Sequence, residues 1–295
     1  MQETVPSSDE PKVSNPSDPN NSHDLKTLPA ELAAQKKIPV SEIFGPTIQG
    51  EGAMIGVPTV FVRFAGCDFR CGRCDSLFAV LPELWAGKAA RYTNEELAHT
   101  IDLYMKQHAP RVTWITFSGG NPVMWDLTVA IGLLQELGYK ICIETQASLW
   151  RDWILDVNFV TMSPKPPGME ATFDSKDMDL FYNRLVANPS RKLYKLPTPW
   201  CIKVVIFSMV DIEWYATVLR RWPRLRADAF ISFGNYEPPK PAKRQSEELT
   251  YEELIQGNLA NGRIIVEEAL QHPGMRDVKI LPQLHVLLWG NKQGV

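Results

Sequence analysis

From Ile38 onward the chain alternates between short apolar segments and amphipathic segments, and this alternation narrows the possible folds more than any other feature. Predicted strands lie at Thr59–Ala65, Val112–Phe117, Lys140–Glu144, Phe159–Met162, Ile202–Phe207 and Ala229–Phe233, with a last one at Asp277–Leu281. Predicted helices lie at Thr93–His108, Val123–Leu137, Asp211–Arg221 and Thr250–Gln271. Repeated strand–helix units predict a parallel sheet with helices outside it. About six units are fewer than the eight of a closed barrel, so we expect an α/β fold, either an open doubly wound sheet or a partial barrel. Chemistry is then expected at the carboxyl ends of the strands.

Three segments fall outside this alternation. Residues 1–36 are rich in Pro, Ser, Asn and Asp, and such a segment cannot offset its ordering entropy by burial. We therefore predict a disordered N-terminal tail over 1–36 and one folded domain over 37–295. The stretches Pro164–Pro199 and Glu237–Glu248 are rich in proline and charge, which predicts loops or insertions.

The composition is that of an ordinary globular protein. Of 295 residues, 44% are hydrophobic and 22% are charged, with a formal net charge of -3. These values exclude a chain disordered throughout, a collagen-like repeat and a wholly basic nucleic-acid binder. No apolar run reaches the roughly 18 residues that a membrane span needs, and the first residues do not resemble a signal peptide. We expect a soluble, cytoplasmic protein without membrane or direct nucleic-acid partners.

Cysteine spacing gives the first chemical signal. Three of the five cysteines, Cys67, Cys71 and Cys74, form a C-x3-C-x2-C motif directly after the first predicted strand. Three thiolates on one loop can hold three irons of a cubane cluster and leave the fourth iron open to another ligand. A structural zinc site is the alternative, but it needs four protein ligands, and Cys142 and Cys201 are isolated. We predict an iron–sulfur cluster and buried, unreactive thiols at Cys142 and Cys201.

The position of this motif resembles that of the radical S-adenosylmethionine superfamily. Ser118-Gly119-Gly120-Asn121-Pro122 resembles the Gly-Gly-Glu-Pro loop of that superfamily, with Asn121 where Glu is usual, and Ile143–Gln146 resembles its Glu-Thr-Asn segment. The resemblance implies a partial, open parallel β/α barrel, a [4Fe-4S] cluster, and S-adenosylmethionine bound to the open iron. A strand-end Glu such as Glu144 is equally often a satisfied structural charge.

Longer stretches resemble one family within that superfamily, the 7-carboxy-7-deazaguanine synthases. They are Phe44–Gly52, Gly56–Pro58, Phe61–Cys67, Cys74–Ser76, Met162–Pro167, Leu281–His285 and Gly290–Lys292. The resemblance spans residues 38–295. It implies a carbon–nitrogen lyase that contracts the ring of 6-carboxy-5,6,7,8-tetrahydropterin to 7-carboxy-7-deazaguanine with loss of ammonia, for 7-deazapurine and queuosine biosynthesis. It also implies Mg2+ as a further cofactor.

The resemblance assigns roles to residues of this chain. The expected pterin-binding residues are Ile48, Gln49, Gly50, Glu51, Arg63, Ser118 and Val295. The expected S-adenosylmethionine-binding residues are Arg73, Asp75, Gly120, Asn121, Glu144, Ser163, Pro164, Lys165, Phe233, Asn235 and Tyr236. The expected metal ligands are Cys67, Cys71 and Cys74 for the cluster and Ser76 for Mg2+. The Arg63 guanidinium is a fork that suits a carboxylate, although a charge on a strand often simply faces solvent.

The family resemblance also implies a flavodoxin- or ferredoxin-like electron donor and a homodimer. Two alternative functions are left open by the sequence. One is another radical S-adenosylmethionine enzyme of the glycyl-radical activase type. The other is a zinc-stabilised tRNA-binding module, for which the basic stretch Arg191–Lys195 is the only support.

Overall fold

The computed structural model describes residues 37–171, 173–187, 198–237 and 249–295. The predicted tail 1–36, the basic stretch Arg191–Lys195 and nearly all of Glu237–Glu248 lie outside the described residues. The described residues form nine strands: β1 Ile38–Ile48, β2 Pro58–Phe64, β3 Ala90–Tyr92, β4 Trp114–Gly119, β5 Lys140–Thr145, β6 Phe159–Met162, β7 Trp200–Ile206, β8 Ala229–Phe233 and β9 Lys279–Pro282. The α-helices are α1 Leu77–Val80, α2 Pro82–Trp85, α3 Asn94–His108, α4 Thr128–Glu136, α5 Ser175–Phe181, α6 Met209–Arg221, α7 Tyr251–Gln271 and α8 Leu284–Trp289.

All nine strands belong to one sheet, in the order β3-β1-β2-β4-β5-β6-β7-β8-β9. From β2 through β4 to β9, each neighbouring pair is parallel. The strand β1 pairs with β2 and β3 antiparallel. Within the described residues the edge strands β3 and β9 do not meet, so the sheet is open. The predicted partial, open barrel of parallel β/α units is therefore confirmed, with an antiparallel extension at one edge.

Alternation along the strands sorts side chains between the two faces of the sheet. On β2, Val60, Val62 and Phe64 lie in the hydrophobic core, whereas Phe61 and Arg63 point to the opposite face and line a cavity. The same division holds along β4 and β5, because successive side chains of a strand point to opposite faces. The strand pattern therefore builds an apolar layer under the helices and a polar interior on the other side.

The helices cover the apolar layer. Leu97, Ile101 and Met105 recur along one face of α3 and are fully buried in the core. As the sequence predicts, Thr93 and Glu96 form a capping box at the start of this helix. That box satisfies backbone N–H groups that would otherwise have no partner.

Three sequence predictions need correction. Along the described chain the first strand is β1, which precedes the predicted strand at Thr59–Ala65. Gly45 and Pro46 interrupt the strand pattern of β1, and its pairing with β2 has register shifts. The helix predicted over Val123–Leu137 is a short 3-10 turn at Pro122–Met124 followed by α4, because Asp126 accepts a hydrogen bond from the Thr128 N–H and starts a new helix.

The third correction concerns Pro164–Pro199, predicted as a loop or insertion. Its described part contains α5 and a π-helix at Tyr182–Ala187. The side chain of Asp174 caps α5 by accepting from the Lys176 N–H. These helices bury Met178, Phe181 and Leu185 in the core. Their apolar pattern was not recognised in the sequence because the flanking residues are rich in charge and proline.

Within the described residues, no helix is both long enough and apolar enough to cross a membrane.

Two glycines give a matched test of the backbone. Gly119 has φ +144°, and a Cβ on it would lie 2.2 Å from the Phe64 carbonyl oxygen. Gly119→Ala should therefore lower the free energy of unfolding by more than about 2 kcal/mol. A Cβ on Gly132, inside α4, meets nothing within 4 Å. Gly132→Ala should raise stability by about 0.5–1 kcal/mol. Urea unfolding of both variants checks this; an unchanged midpoint for Gly119→Ala would contradict the close approach of β2 and β4.

Candidate active site

The carboxyl ends of the parallel strands surround one cavity of about 430 Å³. This volume suits a small-molecule site. Its wall comprises the cysteine loop after β2, the glycine loop after β4, the ends of β5 and β6, the middle of β7 and the end of the chain. The sheet thus brings together segments that are far apart in sequence.

Most residues with predicted site roles line this cavity. All of the expected pterin-binding residues do so: Ile48, Gln49, Gly50, Glu51, Arg63, Ser118 and Val295. So do the expected cofactor-binding and metal-binding residues Arg73, Asp75, Gly120, Glu144, Ser163, Lys165, Asn235, Cys67, Cys71, Cys74 and Ser76. Pro164, Asn121, Phe233 and Tyr236 are not among the lining residues.

Asn121 is turned away from the cavity and is fully buried. Its side-chain amide donates to Asp68 Oδ1 over 2.8 Å and accepts from Thr145 Oγ1 over 3.0 Å. The side chain therefore holds two loops together, and the expected contact of Asn121 with the cofactor stays a prediction. A glutamate here would place a second carboxylate beside Asp68, so an amide suits this site better.

Phe233 and Tyr236 face α7 instead of the cavity. A Cβ on Gly262 would lie 2.7 Å from the Phe233 ring, and one on Gly257 would lie 2.3 Å from the Tyr236 ring. Both rings pack on glycines of that helix, and the expected binding of S-adenosylmethionine by these two residues stays a prediction. Asn235, between them, does reach the cavity.

The three cysteines of the loop are largely buried. Burial raises the pKa of Cys67 and Cys74 to about 12 and that of Cys71 to about 11. Backbone N–H groups donate to two of the sulfurs, from Phe69 to Cys67 and from Ser76 to Cys74, each over 3.4 Å. Buried thiolates require nearby positive charge, which irons supply, and N–H donors to sulfur are typical of cluster ligands. The loop therefore fits a [4Fe-4S] cluster.

Asp68 fixes the position of this loop. Its carboxylate accepts from Asn121, from Gln146 Nε2 over 2.6 Å and from Ser148 Oγ over 2.6 Å. Gln146 also lies 3.5 Å from Cys67 Sγ. The cysteine loop is thus tied to the ends of β4 and β5. The sequence predictions did not include Asp68 or Ser148, since their pairing is visible only in three dimensions.

Arg63 is held from several sides. Its Nε donates to Glu42 Oε1 over 2.7 Å, and its Nη1 donates to Ser76 Oγ over 3.2 Å. The guanidinium also lies over the rings of Phe44 and Phe78. Arg63 is therefore not a solvent-facing strand charge, and its guanidinium is oriented before any ligand arrives.

Ser76 and Asp75 place two oxygen groups side by side. Ser76 Oγ donates to Asp75 Oδ1 over 2.6 Å. Burial acts to raise the pKa of Asp75, but the Ser76 hydrogen bond and the charges of Arg63, His285 and Lys203 hold that pKa below its ordinary value. Hard oxygen ligands of this kind are those that Mg2+ prefers, so the pair fits that ion.

On the opposite side, the floor of the cavity is formed by three charged residues, of which Glu51 and Lys203 are buried and Glu144 is half-buried. Glu144 accepts from Gln49 Nε2 over 3.2 Å and from Ser118 Oγ over 3.0 Å. Lys203 Nζ donates to Glu51 Oε2, and both side chains are buried. The sequence predictions missed Lys203. The sequence did contain a signal for it, because Lys203 is the one charged residue in the apolar strand β7, in alternation with Cys201 and Val205.

Comparisons with known proteins agree with this geometry. The family described as "4Fe-4S single cluster domain" matches residues 48–156. The 7-carboxy-7-deazaguanine synthase of Bacillus cereus is 35% identical over 261 residues, covering 88% of this chain and 99% of the relative. That of Bacillus subtilis is 36% identical over 262 residues, with the same coverage of 88% and 99%. The crystal structure of QueE from Escherichia coli is 20% identical, covers 90% of this chain and 100% of that chain, and has a TM-score of 0.56, which shows a shared fold. With relatives at this identity and nearly complete coverage, the chain belongs to the 7-carboxy-7-deazaguanine synthase family.

Proposed function

We propose that the protein converts 6-carboxy-5,6,7,8-tetrahydropterin to 7-carboxy-7-deazaguanine, with loss of ammonia, as a radical S-adenosylmethionine enzyme. The observation that carries this proposal is that one cavity is lined both by the three cysteines and by every expected pterin-binding residue. The curated relatives are named for this product. The activity is a carbon–nitrogen lyase reaction in 7-deazapurine and queuosine biosynthesis.

Cys67, Cys71 and Cys74 would hold the [4Fe-4S] cluster. When bound, the cluster supplies the electron that cleaves S-adenosylmethionine and begins the radical chemistry. The glycine loop after β4 is packed so closely against the cysteine loop that a Cβ on Gly120 would lie 2.0 Å from the Gly66 carbonyl oxygen. Its backbone therefore lies beside the cysteines, where it would meet the methionine part of the cofactor. Ser163, Lys165 and Asn235 line the cavity and would bind the rest of the cofactor.

The substrate has two polar ends, and the cavity has a matching group for each. The carboxylate of the pterin would pair with Arg63, which Glu42 and Ser76 already orient. The amide and amino edge would meet the backbone of Ile48–Gly50 and the carboxylate of Glu51. Ser76, together with Asp75, would bind Mg2+ near the substrate carboxylate.

The same proposal includes a flavodoxin- or ferredoxin-like electron donor and a homodimer, both of which rest on the family resemblance. Neither alternative function is favoured by a described feature, since the basic stretch that suggested tRNA binding lies outside the described residues.

The proposal is tested by assaying the full chain. The cluster is reconstituted anaerobically, and the protein is incubated with dithionite, S-adenosylmethionine, Mg2+ and 6-carboxy-5,6,7,8-tetrahydropterin. We expect 7-carboxy-7-deazaguanine by mass spectrometry and one ammonia per product. Cleavage of S-adenosylmethionine without any carboxydeazaguanine would keep the radical enzyme class and reject the substrate.

The cysteine assignment predicts a sharp division among the five cysteines. Cys71→Ala should lose the cluster, because two thiolates hold a cubane poorly. Cys142→Ala and Cys201→Ala should keep it, since those thiols are buried in β5 and β7 and away from the loop. Iron quantitation checks this, with about four irons per chain expected in wild type and in both controls. A full complement of iron in Cys71→Ala, or one zinc per wild-type chain, would contradict the assignment.

The substrate assignment predicts a separation of binding from cofactor chemistry. Arg63→Ala should raise the substrate KM by roughly thirty-fold, about 2 kcal/mol, because the bound carboxylate loses its charged partner. Its cluster content should stay at the wild-type level. The matched control is Arg263→Ala, which removes an exposed arginine paired with Glu267 on α7. It should leave both the substrate KM and the cluster content at their wild-type values. A wild-type KM in Arg63→Ala would show that the carboxylate binds elsewhere.

A further inference from the structure

Lys203 lies in the middle of β7, where the neighbouring strand residues are apolar. Its side chain is 7% exposed and that of Glu51 is 10% exposed, and the two form an ion pair on the cavity floor. A buried lysine is costly unless a carboxylate compensates its charge. None of the roles proposed above uses Lys203, although it lines the same cavity as the expected substrate-binding residues.

The two oxygens of Glu51 have different surroundings. Oε2 accepts from Lys203 Nζ, whereas Oε1 is buried and has no hydrogen-bond partner in the described part of the chain. The second carboxylate of the floor, Glu144, already accepts two hydrogen bonds. Glu51 Oε1 is therefore the acceptor on the floor that still needs a donor, since a buried acceptor without a partner is unfavourable.

Lys203 also determines the charge of that acceptor. Burial acts to raise the pKa of Glu51, but the charges of Lys203 and His285 and the Lys203 hydrogen bond outweigh burial and the opposing charge of Asp75, so the pKa lies below its ordinary value. Without Lys203, the buried Glu51 carboxylate would lose its ion-pair partner. Glu51 would then take up a proton or move.

Resting on the proposed function, we infer that Lys203 is a substrate-positioning residue: its ion pair with Glu51 Oε2 fixes Glu51 Oε1 as an anionic acceptor for the N–H donors on the 2-amino-pyrimidinone edge of the pterin. This arrangement would make the site specific for a 2-amino group over a 2-oxo group. A ligand with an oxo group in place of the 2-amino group would turn a carbonyl oxygen towards this carboxylate and be rejected, because a site built for a donor discriminates strongly against its absence.

Two fluorescent ligands test this specificity. The full chain, loaded with its cluster and S-adenosylmethionine, is titrated anaerobically with 6-carboxypterin and with 6-carboxylumazine, which carries the oxo group. The wild type should bind the pterin at least about tenfold more tightly. In Lys203→Met, pterin affinity should fall by about tenfold or more and the ratio of the two affinities should approach one. Lys203→Arg keeps the charge and should therefore keep most of the wild-type pterin affinity and most of the wild-type ratio.

Lys106→Met is the matched control. Lys106 also pairs with a carboxylate, Asp102, but on the outer helix α3, with 63% of its side chain exposed. This variant should keep the wild-type affinity and the wild-type ratio. A wild-type ratio in Lys203→Met would overturn the inference, whether or not the affinity changes, because Lys203 would then not act through the amino edge.

Failure of the inference is distinct from failure of the proposed function, since in the latter case the wild type itself would not bind 6-carboxypterin. If Lys203→Met does not fold, the ratio of the two affinities is compared between Glu51→Gln and the double variant Glu51→Gln/Lys203→Met. The double variant removes both charges of the ion pair. Equal ratios in these two proteins would support the inference, because Lys203 acts only through the charge of Glu51. A lower ratio of pterin to lumazine affinity in the double variant than in Glu51→Gln would overturn the inference.

Discussion

Two backbone hydrogen bonds join the end of β2 to the loop after β4, and the rest of the site depends on them. The Gly120 N–H donates to the Phe64 carbonyl over 3.0 Å, and the Asn121 N–H donates to the Gly66 carbonyl over 2.8 Å. Only glycine permits this approach, since a Cβ at Gly119 or Gly120 would lie within 2.2 Å of a carbonyl oxygen. The contact brings the cysteine loop against the glycine loop. Asp68 then ties the cysteine loop to both β4 and β5.

The second constraint is the alternation of side chains along parallel strands. It directs Arg63, Glu144 and Lys203 into the interior of the open barrel, where isolated charges would be costly. The structure compensates them in pairs or with hydrogen bonds: Arg63 with Glu42, Lys203 with Glu51, and Glu144 with two neutral donors. The interior is therefore polar and already oriented. That is the condition for holding a polar heterocycle and a sulfonium cofactor in one small cavity.

Local signals in the sequence predicted the parts of this fold that local physics determines. The strands at Phe159–Met162 and Ala229–Phe233 have the predicted bounds, and Thr93 caps α3 as expected. The cysteine spacing, the glycine loop and the strand-end position of the site were also visible. The strand β1 was missed because Gly45 and Pro46 interrupt its apolar pattern.

The pairings that orient the site could not be predicted from the sequence, since their members are far apart in the chain. Glu51 and Lys203 are separated by 152 positions, and Asp68 and Ser148 by 80. No local pattern links such residues. The contact of Asn121 with Asp68 was missed for the same reason, since Asp68 belongs to another loop.

We propose that one cavity holds the cluster, the cofactor and the pterin together. An anaerobic crystal structure of the loaded chain with S-adenosylmethionine and 6-carboxypterin tests it most directly. We expect three irons of one cluster on Cys67, Cys71 and Cys74, the pterin carboxylate at Arg63, and the pterin amino edge at Glu51. A pterin bound outside this cavity, or a single zinc ion on the cysteines, would contradict the account.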